Sequence, residues 1–217
     1  IVGSSSKFNY RASLAYKNAE GIAKNNNREE IIAKIAASQK ALDGWLELQY
    51  DLSYMHYRND YNNADWKMAA ILNPTYPVYD PANKNGYYLP QGTGLSNPVE
   101  NMNQRESYQD GNYFRGSVKA TVNIKPVPGL RISGFAAIEE GDNHNYWSHK
   151  TINTDISGSG KAGRGSDTNF SKLFEVTADY SKSFGSHHIA AVAGFSYQNF
   201  LYDGENIENR GFPTEGM

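Results

Sequence analysis

The chain has 217 residues and a mass of 24.2 kDa, with 21 basic and 23 acidic side chains giving a formal net charge of −2. That balance gives no overall field for nucleic acid, and no basic cluster supplies a local one. Mean hydropathy is −0.68 and no run approaches the ~20 apolar residues of a membrane helix, while the absence of Cys removes disulfides, thiol nucleophiles and thiolate metal sites together. Tyrosine is abundant, 16 against 9 Phe and 3 Trp, and Asn is frequent. The chain opens on Ile1-Val2-Gly3 with no initiator Met or signal core and closes in loop-like sequence at Phe212-Pro213-Thr214-Glu215-Gly216-Met217; it reads as an internal piece of a longer protein.

Period-two alternation dominates, as in strands with two unlike faces. Residues 7–17 place Phe8, Tyr10, Ala12, Leu14 and Tyr16 opposite Lys7, Asn9, Arg11, Ser13 and Lys17. Residues 28–42 carry good helix formers, with Ile31, Ile32, Ile35 and Ala36 on one helical face, but also alternate as a strand with Ile31, Ala33, Ile35 and Ala37 on one side. Asp43-Gly44 then fits either a two-residue hairpin turn or the end of a helix. Alternation resumes in 45–56, 113–125, 130–139, 173–182 and 188–198, each with an uncharged apolar face. Pro126-Val127-Pro128-Gly129 and Gly185-Ser186-His187 read as tight turns, whereas 18–28, 57–112 and about 140–170 read as long loops rich in Asn, Gly, Pro and Tyr.

Short turns at one end and long loops at the other are how outer-membrane barrels are built, and a ~55-residue loop is foreign to a compact soluble domain. Aromatics at strand ends (Phe8 and Tyr16, Tyr180 and Phe184, Tyr197 and Phe200), small residues between them, and strands of about 10–12 residues point the same way. The expected fold is all-β, an antiparallel up-and-down transmembrane barrel segment of about seven strands; a soluble β-sandwich is the alternative.

The runs YRASLAYKNAEGIAKN (10–25), ALDGWLELQYDLSY (41–54), NPTYPVYD (73–80), NPVE (97–100), PVPGLRISGFAAIE (126–139) and YSKSFGSHHIAAVAGFSYQ (180–198) together resemble the middle of a SusC/RagA-type TonB-dependent outer-membrane transporter. The resemblance implies that 28–42 is a strand, that residues 1–217 are part of a barrel of about 22 strands, and that tight turns are periplasmic and long loops extracellular. It further implies a parent protein with a signal peptide and a plug domain outside this chain. That parent would import oligosaccharides or peptides across the outer membrane of a Bacteroidetes-like bacterium. The partners it implies are a SusD-like surface lipoprotein, TonB acting through the plug, and outer-membrane lipid.

No catalytic arrangement emerges, and no enzyme, cofactor or metal is expected. Gly158-Ser159-Gly160-Lys161-Ala162 lacks the first Gly and the Ser/Thr of a phosphate loop. Glu139, Glu140, Asp142, His144 and His149 lack the spacing of a calcium loop and read as a solvated strand end. His187-His188 reads as a polar turn. The candidate ligand-binding residues are loop aromatics and their polar neighbours, Trp66, Tyr76, Tyr79, Tyr87, Tyr88, Tyr146 and Trp147 with Asn62, Asn63 and Asp65, because sugars offer C–H faces to rings and hydroxyls to amides and carboxylates. The alternative function is a soluble extracellular β-sandwich that binds glycan through the same loops.

Overall fold

The computed structural model describes residues 1–90, 95–150 and 160–212. Its strands are β1 (Val2–Ser4), β2 (Phe8–Glu20), β3 (Asn27–Ala41), β4 (Leu46–Asp60), β5 (Arg105–Asn123), β6 (Leu130–His149), β7 (Gly160–Phe184) and β8 (His187–Phe212). They form one sheet in which every strand pairs antiparallel with the next in chain order, the wall of an up-and-down barrel. Two short helices, α1 (Trp66–Ile71) and α2 (Pro98–Gln104), lie in the β4–β5 connection. The segment 28–42 is a strand as far as Ala41: residues 28–41 are laddered to β4, and Ala33 sits between Leu14 and Tyr54 on one face.

The tight turns fall where the sequence puts them. The turn after β3 is longer than the two-residue hairpin that Asp43-Gly44 suggests. Ala41 and Leu46 are the last pair, and Leu42, Asp43 and Gly44 take φ of 51°, 52° and 83° in succession. Gly129 closes the β5–β6 turn at φ +95°, with a Cβ there falling 2.2 Å from the Ser181 carbonyl oxygen. Any other side chain would strain the backbone and collide with β7.

Two expectations are corrected. An eighth strand, β1, pairs with β2. The strands from β2 onward run 13 to 26 residues rather than 10–12, so both ends of 57–112 (57–60 and 105–112) and much of 140–170 are strand and not loop. Beyond the bilayer both faces of a strand are wet, the apolar/polar contrast disappears, and a polar strand becomes indistinguishable from a loop by pattern alone.

A sandwich requires a second sheet over the apolar face. All eight strands lie in one sheet, and among the described aliphatic and aromatic side chains only Ala137 is buried. Leu14, Ile35, Leu52 and Phe195 stand exposed at 78%, 52%, 47% and 64%. Such a face must be solvated by lipid or covered by a partner, and the ladder distinguishes the two.

The outward ladder through Tyr16 runs Tyr16–Ile31–His56–Asn112–Asp142–Thr168–Asp203, apolar at β2 and polar at β8. On β8 the apolar run begins at Tyr197, six positions further from the long loops than Asp203. The other rim moves equally. Phe8 is laddered through to Phe195, but on β8 the apolar run continues six positions more, to Ile189. Six residues of ~3.4 Å over six inter-strand steps of ~4.8 Å slope the band by about 35° to the ladder. That is the tilt strands of a membrane barrel take to the bilayer normal, so the band is level with the membrane while the strands are not. No helix among the described residues is long and apolar enough to cross a membrane, which says nothing about a barrel.

Candidate functional site

Beyond the outer rim of the band the chain builds two polar regions, the β4–β5 connection and the upper inner wall. The connection is ordered by its own side chains. Asp65 caps α1, its carboxylate accepting from the Met68 amide at 2.9 Å. Asn62 accepts from the Ala64 amide at 2.8 Å, and Asn63 donates to the carbonyls of Tyr61 and Arg105, both at 3.3 Å. Asn97 caps α2 and donates to the carbonyls of Val78 (2.8 Å) and Tyr88 (3.0 Å). Asn85 donates to the buried Glu100 at 2.8 Å.

The sequence-predicted aromatics separate into groups. Tyr76 and Tyr88 pack together with centroids 5.4 Å apart, as do Tyr79 and Tyr87. These rings brace the connection, although Tyr79 remains 62% exposed. Trp66, on α1, is 63% exposed and has no ring partner among the described residues. Tyr146 and Trp147 are strand residues of β6 rather than loop residues, and alternation sends them to opposite faces. Tyr146 points outward, stacked on Tyr108 at 4.7 Å with the Arg164 guanidinium 5.5 Å from its centroid. Trp147 points inward and lies against Gly163, where a Cβ would fall 2.4 Å from the indole.

The alternation by itself marks the polar strand faces, Arg115 among them, as the lining of a wet lumen; the hydrogen-bonded upper part of that inner wall is what sequence reasoning missed. Arg28 of β3 lies over the Tyr57 ring at 4.6 Å and donates to Asn59 at 2.8 Å, and Asn59 donates to Gln109 at 3.0 Å. The Tyr57 hydroxyl donates to Asn143 on β6, two strands away, and Asn143 donates to Asp167 on β7 at 2.8 Å. The reach is open only because Gly111 stands between them. A Cβ there would lie 2.7 Å from Asn143 Oδ1 and 2.9 Å from Tyr57 Cζ. The signal was available, since Gly111, Gly141, Gly163, Gly165 and Gly204 are inward positions of β5 to β8, but it needed the register to be seen.

Nearer the membrane the same wall is charged, with Arg115 paired to Glu139 at 3.1 Å and Tyr113 donating to Glu139 at 3.1 Å. The five-residue acid/His group divides between faces, Glu139 and His149 inward and Glu140, Asp142 and His144 outward, with Asp142 Oδ2 and His144 Nε2 at 3.2 Å. Among the described residues no group of three or more His, Asp or Glu is placed to hold a metal ion. Gly158 and Ser159 lie outside the described residues; Gly160, Lys161 and Ala162 begin β7.

No family model matches the chain. It is 25% identical over 221 aligned residues to the TonB-dependent receptor SusC of Bacteroides thetaiotaomicron, an alignment covering 90% of this chain and 22% of that protein. Two solved structures, one of the RagAB peptide transporter and one of the RagAB peptide importer in its closed-closed state, superpose with TM-scores of 0.80 and 0.79 at 21% identity. Each covers 99% of this chain and 25% of the matched chain. The chain resembles SusC in sequence and the RagAB chains in fold. It spans about a quarter or less of the proteins it matches. The SusC/RagA likeness agrees with the runs that carry the resemblance, with strand identity for 28–42, and with the oblique apolar band.

Proposed function

We propose that this chain is barrel wall of a TonB-dependent outer-membrane importer that carries oligosaccharides or peptides too large for passive pores. The observation that carries the reading is the apolar band running obliquely to the ladder, with an amide- and aromatic-lined wall rising above it. A bilayer explains the first and a polar organic solute the second. The relatives add direction: one is a TonB-dependent receptor and the others are described as a peptide transporter and importer. In this reading a plug elsewhere in the parent protein couples to TonB, and a SusD-like lipoprotein sits over the long connections. Trp66, Tyr76, Tyr79, Tyr87 and Tyr88, with Asn62, Asn63 and Asp65, belong to the connection that partner and solute would meet, Trp66 and Tyr79 being the most exposed of these rings.

The test is a blot of fractionated source cells with an antibody to residues 61–104. The expected signal is in the outer-membrane fraction, at roughly four to five times this chain's mass, with migration that changes on boiling. A signal confined to the soluble or secreted fraction at 24.2 kDa overturns the importer.

A further inference from the structure

High on the outward face of β5 to β8, Tyr108, Tyr146, Arg164 and Ile207 stand side by side in one ladder row. The two rings are stacked at 4.7 Å, and the Arg164 guanidinium is 5.5 Å from the Tyr146 centroid. The next row away from the membrane is Glu106, Ser148, Ala162 and Asn209, with its smallest side chains in the middle. A low floor beside a tall row leaves a groove of about 400 Å³, within the ~300–1,000 Å³ of small-molecule sites. Its charged lining residues are Glu106 and Arg164. Arg58, over the Tyr108 ring at 4.5 Å, is paired with Asp60 at 3.1 Å, whereas Arg164 makes no ion pair among the described residues.

The height of the groove decides what can reach it. On β6 the apolar band ends outward at Ile138, and Tyr146 is eight positions beyond it. At ~3.3 Å per residue and a ~40° tilt, the groove stands about 20 Å above the acyl chains, still on the face that the barrel turns to the membrane. What lies against an outer-membrane barrel at that level is the saccharide of the outer-leaflet glycolipid. Lys172, outward on β7 between Ile138 and Asn199, stands at the rim of the band, where the glycolipid's innermost phosphate would sit. A protein partner fits less well. Such an interface covers ~800 Å² a side around an apolar centre, and the row beneath the rings is Asp110, His144, Ser166 and Glu205.

We propose that this outward groove binds a sugar ring of the outer-leaflet glycolipid, with its C–H face on Tyr146, its hydroxyls on Glu106, Ser148 and Asn209, and an acidic substituent on Arg164. A phenol ring gives flat apolar contact area beside polar partners. A guanidinium takes a carboxylate or phosphate through paired donors. Between Lys172 and Arg164 the outward face carries Glu140 and Asp142 on β6 and Asp203 and Glu205 on β8. These carboxylates accept from sugar hydroxyls and confine the glycolipid's acidic groups to the two cations. The proposal rests on the outer-membrane part of the importer reading and not on what the barrel carries.

The experiment uses the full-length parent protein, extracted from source cells in mild detergent. Glycolipid retained per protein is measured from its hydroxylated fatty acids. Rebinding of purified lipopolysaccharide from the same strain, either intact or cut back to its lipid and innermost sugars, is followed by thermophoresis. Boiling-dependent migration confirms that each variant is folded. Tyr146→Ala and Arg164→Gln are each expected to weaken rebinding of the intact form about tenfold and to lower the retained glycolipid. Ala162→Phe, which fills the floor without removing a contact, is expected to do the same. Asn145→Ala, the neighbour on the inward face, is expected to change neither. Equal binding of intact and truncated lipopolysaccharide overturns the groove and leaves the importer standing, as do folded Arg164→Gln and Ala162→Phe variants that retain glycolipid like wild type. A protein that copurifies with wild type and is lost from Arg164→Gln, with glycolipid unchanged, overturns the glycolipid in favour of a protein partner. Absence of the parent from the outer-membrane fraction overturns the importer reading itself.

Discussion

Gly111 shows how much of the inner wall depends on a missing side chain. Tyr57 crosses β5 to reach Asn143 through the space that a Cβ at Gly111 would occupy. Replacing Gly111 with Val therefore displaces the phenol and leaves Asn143 and the hydroxyl without each other. The expected cost is ~1–3 kcal/mol, combining overpacking with a lost hydrogen bond. It is measured as a shift in denaturant midpoint of the full-length protein in micelles. Gly134→Ala is the matched control: nothing lies within 4 Å of its added Cβ, and no comparable loss is expected. A Gly111→Val midpoint equal to that of Gly134→Ala would show that the Tyr57–Asn143 contact contributes nothing. Composition reveals that the chain is rich in Gly and Tyr; which glycine lies beneath which ring depends on pairing across strands far apart in sequence, and no local pattern carries that.

At the scale of the strand, legibility followed the solvent. Where β2 to β8 cross the band, one face meets lipid and the other water, so residues such as Val118 and Lys119 alternate and the strand can be read directly. Above the band, stretches such as Gly141–His149 of β6 are wet on both sides and carry no period, and they read as loop. Tyr146 and Trp147 read in the sequence as neighbouring loop aromatics, but only a strand sends adjacent residues to opposite faces, and these two are parted by the sheet. The faces make a sharp prediction inside the band. Ala136 and Ser117 are on β6 and β5, the first outward between Val118 and Phe174 and the second inward beside Asp51 and Ala137. Ala136→Arg should destabilise the barrel in lipid vesicles by ~2–4 kcal/mol, the depth-dependent cost of arginine on the lipid face, while Ser117→Arg costs under ~1 kcal/mol. Guanidinium titration followed by fluorescence separates them; equal losses would mean that the apolar face does not meet lipid.

For the sheet as a whole, the slope of the band against the ladder is the property that no single strand contains. Because this stretch has no Cys, cysteines introduced one at a time carry labels without background from it. Spin labels at Ile31, Asn112, Thr168 and Asp203 occupy one ladder. In reconstituted membranes their collision rate with oxygen should fall, and that with a water-soluble relaxant should rise, in that order from β3 to β8. A constant ratio along the ladder would make the strands perpendicular to the membrane and remove the main physical reason for calling the band a bilayer crossing.

The slope also sets the profile of the rim. Above the apolar run β2 continues only to Glu20, about four residues, whereas β8 continues from Tyr197 to Phe212, about fifteen. At ~3.3 Å per residue and a ~40° tilt, the wall stands about 10 Å above the bilayer at one edge of the sheet and about 40 Å at the other. The outline is that of a ramp rather than a parapet. In the importer proposed above, the high side of this stretch, where Trp147 faces inward, is the part of the wall that a solute arriving along the cell surface would meet first. A wall of uneven height would give that importer a direction of approach before any contact is made.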